Sequence, residues 1–391
     1  MLLTVAVAAL LAAGPTAPTI TGPRAPTGTS VTYVFSSHER GVPAPKLRYR
    51  CSLDTPRLRA CPRVFRAPLS AGTHILRAAA IDPRGRRSRV TRVSITVTPQ
   101  PAPTPSESFP VGATRPLYVT YAAGSLWTAN FDGAVSRLDP ANGSVLAKID
   151  VGGELSAITF GAGTLWVGTF SGGELVRIDP GTNRVVARIR VGTHPFGTAF
   201  TPDGNAWNAN DDGLVYRIDP STNTVRSTVS VGGNAEIAVY AFGLVWTSNQ
   251  DGAVSAIDPA TSSIVGRVVL DRDVDDLSVS DDAVYASTFY NGTIARIDPA
   301  TRAVTAKTKL PAQAGGILYA AGFVWATGYD TRLVYKLDPR TLRVVGSIRV
   351  GSEPRQSAFA NGSIWTINEL SSTISRLKSG AASPRLDDFD R

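Results

Sequence analysis

The stretch TLWVGTFSGGELVRIDPGTNRVVARIRVG, residues 164–192, holds the unit from which the rest of the chain can be read. TLWVGT, ELVRID and VVARIRV are short runs rich in β-branched and aromatic residues. Turn residues separate them, Ser171-Gly-Gly first and then Pro180-Gly-Thr-Asn. A further run at Ser156–Phe160 precedes them, so the unit reads as four consecutive strands closed by Gly192. Trp166 marks the second strand, and Asp179-Pro180 ends the third.

Both marks recur. Trp127, Trp166, Trp207, Trp246, Trp325 and Trp365 stand 39 to 41 residues apart, with Tyr285 in the one gap. Asp139, Asp179, Asp219, Asp258, Asp298 and Asp338 stand 39 or 40 apart, each preceded by Leu or Ile and followed by Pro. Four short strands in a period of about 40 are the sequence sign of a β-propeller. Counting second strands gives seven copies over residues 107–378. The seventh ends at Ser375–Lys378 without an outer strand, and Phe109-Pro-Val-Gly112 matches the missing ending. The N-terminal strand is therefore expected to complete the last blade and remove an open sheet edge. Both ladders are read as scaffold: Trp fills the wedge between sheets, and Asp-Pro closes a turn.

A binding site breaks the symmetry that a scaffold repeats. The loops joining each outer strand to the next inner strand carry Arg115, Glu154, His194, Glu236, Asp271, Arg272, Asp273, Asp275, Asp276, Glu353 and Arg355. The loops after the Trp strand carry Asn130, Asn210, Asn249 and Asn368, then Tyr290, Tyr329 and Glu369. From these, the expected ligand-binding face is Arg115, Asn130, His194, Asn210, Glu236, Asn249, Asp275, Asp276, Arg355 and Asn368. The acidic run at 271–276 makes Asp273, Asp275 and Asp276 the candidate ligands for Mg²⁺ or Ca²⁺, though it lacks EF-hand spacing and reads more readily as a solvated acidic loop. Glu236, Asp275 and Asp276 lie near inner-strand starts, where they can meet Arg355 at the channel mouth.

The net charge of +9 is unevenly spread. Residues 18–98 hold fifteen Lys or Arg against Glu39, Asp54 and Asp82, a balance of +12, which leaves −3 for the remainder. The basic region is a candidate contact for an anionic cell-wall polymer, or simply a solubilising face. Residues 1–17 begin with the apolar run MLLTVAVAALLAAG, too short to span a bilayer and suited to an export signal. Cys51 and Cys61 then read as one disulfide closing a short loop, the alternative being two free thiols. Residues 18–98 alternate short strands and turns and are expected to form a small β-sandwich. PQPAPTPS, residues 99–106, reads as an extended linker, and 379–391 as a disordered tail.

The pattern YRCSLD at 49–54, ACP at 60–62 and LSAGTHILRAAAIDPRG at 69–85 resembles the immunoglobulin-like modules of large secreted bacterial proteins. Those modules carry two cysteines in this arrangement and serve as spacers or adhesive units. In the repeats, Pro195-Phe-Gly197, the D-G-x-x-W at 203–207 and the R-I-D-P turn resemble the YVTN-type propellers and the streptogramin B (virginiamycin B) lyase superfamily. That resemblance implies a seven-bladed propeller, and for the lyase an elimination assisted by histidine, glutamate and Mg²⁺. On it, His194, Glu236 and Glu154 are the candidate catalytic residues. The lyase's second histidine and its W-F-T-E signature have no counterpart here.

The fold expected is thus all-β: a seven-bladed β-propeller behind a small Ig-like β-sandwich. The function expected is that of a secreted or cell-surface protein that binds through the propeller's loop face, without a cofactor. The ligand would be a protein, peptide or glycan; the chain would be a monomer with no membrane span and no nucleic-acid partner. A lyase-like enzyme and a structural surface-layer component are the other readings.

Overall fold

The computed structural model describes residues 14–22, 30–68, 72–97 and 104–378. Most of the expected leader and all of the expected tail lie outside the described residues. The chain divides into two compact units, Met1–Pro101 and Ala102–Arg391. Among the described residues there is no α-helix, only a 3₁₀ turn at Ala44–Lys46. No helix there is long and apolar enough to cross a membrane.

The first unit has seven strands: β1 (Thr19–Thr21), β2 (Ser30–Ser36), β3 (Arg48–Leu53), β4 (Arg59–Cys61), β5 (Val64–Pro68), β6 (Gly72–Ile81) and β7 (Thr91–Val97). They form two antiparallel sheets, ordered β1-β2-β5 and β4-β3-β6-β7. Alternate residues turn inward from both sheets: Tyr33 and Phe35, Tyr49 and Cys51, Leu76, Ala78 and Ala80, Val93 and Ile95 make one core. Phe35 joins the sheets by packing on Tyr49, with ring centroids 5.7 Å apart. Cys51 and Cys61 form a disulfide. It staples adjacent strands β3 and β4 of one sheet and does not cross between the sheets. Thr16, placed in the leader by sequence, donates its main-chain N–H to His38.

In the second unit, seven consecutive antiparallel sheets of four strands follow one another. In the second of them the strands are Leu155–Gly161, Thr164–Thr169, Glu174–Asp179 and Arg184–Arg190. The first strand of each sheet lies against the first strand of the next, and that of the seventh, Pro354–Ala360, lies against that of the first, Pro116–Ala122. The ring is therefore closed, as in a β-propeller. Its closure uses the N-terminal segment: Glu107–Pro110 pairs antiparallel with Thr373–Lys378 as the outer strand of the last sheet. Phe109 packs on Trp365 with centroids 5.7 Å apart. Thr104–Pro105, read from sequence as linker, adds a short parallel strand beside Val344–Arg349 of the sixth sheet.

All six tryptophans are 1% exposed or less. Four indole N–H groups donate to the carbonyl that ends the preceding strand, as Trp166 does to Gly161 at 3.0 Å. Across the strand pair a cation faces most of the rings: Arg137 over Trp127, Arg177 over Trp166, Arg217 over Trp207, Lys336 over Trp325 and Arg376 over Trp365. Several of these cations also reach the next sheet. Arg137 donates to Pro180 O and Asn183 Oδ1, both at 3.1 Å, and Arg376 reaches back to Ala141 O at 3.0 Å. Each is thus a latch between neighbours, and the last one joins the seventh sheet to the first. The fourth sheet places Ala256 opposite Trp246, where the others have a cation.

In all six Asp-Pro turns the aspartate Oδ1 accepts the main-chain N–H two residues on, from Asp139 with Ala141 to Asp338 with Arg340. This Asx geometry is why the turn repeats.

Candidate functional site

A backbone bond recurs in every sheet at the other end of the strands. The carbonyls of Arg115, Glu154, His194, Asn234, Asp273, Gln313 and Glu353 accept the N–H groups of Phe131, Phe170, Asp211, Gln250, Phe289, Tyr329 and Glu369, in that order. The second set stands four residues after each Trp or Tyr285. Fourteen equivalent backbone positions thus present eight kinds of side chain around the mouth of the ring.

This geometry corrects the sequence expectation by one residue. Asn130, Asn210, Asn249 and Asn368, three residues after Trp, are 0% exposed. They spend their amides inside the scaffold: Asn130 on Ala134 O and Ser136, Asn210 on Val191 O, Asn249 on Ser255, Asn368 on Thr373 and Ser375. Successive strand residues face opposite ways, so a slip of one exchanges mouth for core. The repetition of Asn in that column was itself the mark of scaffold. The next column, reading Phe, Phe, Asp, Gln, Phe, Tyr, Glu, does not repeat.

The mouth is uneven. Arg115, Asp273 and Glu353 hold positive φ angles of 51°, 59° and 55°, in the region that favours glycine. All seven inner strands are bulged near their starts, four of them between Pro116 and Tyr118, Ala235 and Ala238, Val274 and Asp276, and Pro354 and Ser357. A bulge re-aims side chains, and these four carry Tyr118, Glu236, Asp275 and Arg355. A cavity of about 220 Å³ is lined by Glu236, Gln250, Asp273, Asp275, Phe289, Tyr290 and Arg355.

Two carboxyl groups meet there. Glu236, 8% exposed, accepts a hydrogen bond from Gln250 Nε2 and shares another with Asp275. Burial, then the neighbouring Asp275, pushes Glu236 well above the ordinary carboxylate range. Burial also lifts Asp275 to about 6, although Arg355 works the other way. Tyr118 is raised well above its usual value by burial and then by Asp275, Glu236 and Asp276. The nearby cation is already engaged: Arg355 Nε donates to Glu369 Oε2 at 2.7 Å, and its guanidinium lies over Tyr329 and Phe289. Burial opposes the charge of Arg355, but Asp275 and Glu369 outweigh it. Burial likewise opposes ionisation of Glu369, and Arg355 with Arg115 holds it low; Arg115 Nη2 donates to Oε1 at 2.7 Å.

The remaining expected residues fall elsewhere. Asp276 is turned into the scaffold, accepting from Leu277 N, Ile317 N and Gln356 Nε2. Burial lifts it to about 7. Asp273 sits 3.6 Å from Arg272. Asp273 and Asp275 share the cavity while Asp276 is turned away from it, and among the described residues no group of three or more His, Cys, Asp or Glu side chains is placed to hold a metal ion. His194 bonds Asp211 at 2.9 Å and stacks on Phe170 at 4.2 Å, while Glu154 meets Ser171 at 3.4 Å. His194 and Glu154 thus hold partners of their own, distinct from Gln250, which donates to Glu236. Gln250 and Phe289 were missed by sequence reading. A larger hollow of about 910 Å³ lies at the Asp-Pro end. Its charges are spent on scaffold pairs such as Arg217 with Asp203 and Arg226 with Asp219.

A closed β-propeller with one asymmetric mouth defines the class. Within it, the chain belongs to the family described as outer membrane protein assembly factor BamB, whose family model matches residues 131–348, more than half of the chain. No curated protein matches it. Among solved structures it is similar to that titled "Structure of U3-55K", at 10% identity and a TM-score of 0.63, over 71% of this chain and 100% of that one. It is also similar to hydrazine synthase of Kuenenia stuttgartiensis, at 14% identity and a TM-score of 0.60, over 70% of this chain and 98% of that one. At such identities the likeness concerns the fold.

Proposed function

We propose that this is an exported binding protein without catalysis of its own. Its second unit is a seven-bladed propeller and its first an Ig-like β-sandwich, working as a monomer in the envelope or outside the cell. The mouth receives a protein or peptide ligand that presents a cationic side chain. The observation that carries this reading is the Glu236–Asp275 pair: a buried and a half-buried carboxyl group share a hydrogen bond in a cavity walled by Phe289 and Tyr290, beside an arginine already bound to Glu369. A bound ammonium or guanidinium would neutralise the pair and meet aromatic faces, which attract cations. The family's description, an assembly factor for outer-membrane proteins, favours a protein partner. The disulfide suits an oxidising compartment.

A thermal-shift screen tests this with blocked tripeptides Ala-Lys-Ala, Ala-Arg-Ala, Ala-Gln-Ala and Ala-Glu-Ala. Stabilisation by the first two alone, lost in Glu236→Gln/Asp275→Asn, is the expected result. Equal response to all four, or to Ala-Glu-Ala alone, contradicts it.

A further inference from the structure

We propose a second binding site, independent of the mouth: the outward face of the β4-β3-β6-β7 sheet binds a linear polymer that repeats phosphate groups. The register places five arginines on that face. Arg48 lies beside Ile81, which bridges to Arg87; Arg50 lies beside Ala79; Arg77 lies directly opposite Arg92. Their strand neighbours Tyr49, Cys51, Ala78 and Ala80 turn into the core, so the alternation sends the arginines to the other side. Arg48, Arg50, Arg87 and Arg92 are exposed. Like charges directly opposite each other across strands are destabilising, yet Arg77 and Arg92 are so placed.

Among the described residues only Arg77 of these five acts on an acid, Asp54. Of the three acids among its described residues, Glu39 and Asp82 are both taken by Arg86, the second at 2.7 Å. Asp54 is taken by His74 at 2.7 Å and by the N–H of Ile75. Among the described residues, Arg48, Arg50, Arg87 and Arg92 have no ion pair and no side-chain hydrogen bond, while Arg77 leans on Thr55 O and Ile75 O. Along the strand direction the charges fall in steps of about 7 Å, two residues at a time. A periodic row of guanidinium groups suits a chain that repeats its anion, and guanidinium meets phosphate through paired N–H donors. Among the described residues the face offers no aromatic platform for stacking bases, so the charge repeat itself would be what is recognised.

The test titrates the full chain with long-chain linear polyphosphate at several salt concentrations. Binding is expected to weaken with a log–log salt slope of about −3 to −5, near one unit per phosphate engaged. Arg48→Gln/Arg50→Gln/Arg92→Gln should bind at least about tenfold more weakly with a slope reduced by about 2 to 3. The matching Arg→Lys triple should lose the paired N–H donors but keep the wild-type salt slope, which separates lost charge from a lost fold. Glu236→Gln/Asp275→Asn should bind polyphosphate normally, so failure here and failure at the mouth remain distinguishable. Salt-independent binding, a triple Gln variant equal to the wild type, or binding to phosphatidylglycerol vesicles with none to polyphosphate would each overturn the proposal.

Discussion

Arg355 donates its Nε to Glu369 Oε2 at 2.7 Å, and so divides its charge between Glu369 and the Glu236–Asp275 pair across the cavity. The pair is left holding a proton that neither residue would keep in water. In the unfolded chain both ionise near pH 4, whereas in the folded chain Asp275 does so at about 6 and Glu236 well above its ordinary value.

Folded protein therefore binds more protons than unfolded protein from about pH 4 upward, and stability falls as pH rises through that window. Glu236→Gln keeps the acceptor for Gln250 and cannot ionise. Its melting temperature should match the wild type near pH 4 and exceed it increasingly toward pH 8. Calorimetry from pH 4 to 8 checks this; parallel curves would contradict it.

The arginine latches give a second expectation. Arg177 covers Trp166 at 4.7 Å and donates to Pro220 O at 2.5 Å and Asn223 Oδ1 at 2.6 Å. Arg177→Ala removes a cation–π contact and the bonds to the third sheet, so a loss of about 2–3 kcal/mol in chemical denaturation is expected. A loss below about 0.5 kcal/mol, usual for a plain surface site, would show that the latch does not act.

Closure of the ring rests on Glu107–Pro110. A chain beginning at Ala102 should keep the propeller. One beginning at Val111 loses the last outer strand and the packing of Phe109 on Trp365, worth about 3 kcal/mol, and exposes a sheet edge. It should melt earlier and aggregate, as light scattering during a thermal ramp would report. Equal behaviour of the two chains would mean that the ring does not depend on this strand.

The scaffold was legible because it repeats. Trp166 and Asp179 recur at fixed spacing, and one physical role accounts for each column. The arginine column opposite Trp also repeats, but it is the strand register that sets Arg137 and Arg177 over the rings. The mouth was legible only in part. Glu236, Asp275 and Arg355 stood out as departures from the repeat, and they do converge. The Asn column was taken in place of its neighbour, because a single-residue shift reverses burial in a strand. The clasp of Glu369 by Arg115 joins residues 254 positions apart, a relation no local pattern carries.

The central claim is that the mouth binds a cation by displacing the proton of the Glu236–Asp275 pair. Isothermal titration of blocked Ala-Lys-Ala at pH 6.5, in two buffers of different ionisation enthalpy, measures this directly. The account predicts release of up to about one proton per peptide bound, and no binding to Glu236→Gln/Asp275→Asn. Binding with the same heat in both buffers, or binding that survives the double substitution, would contradict it.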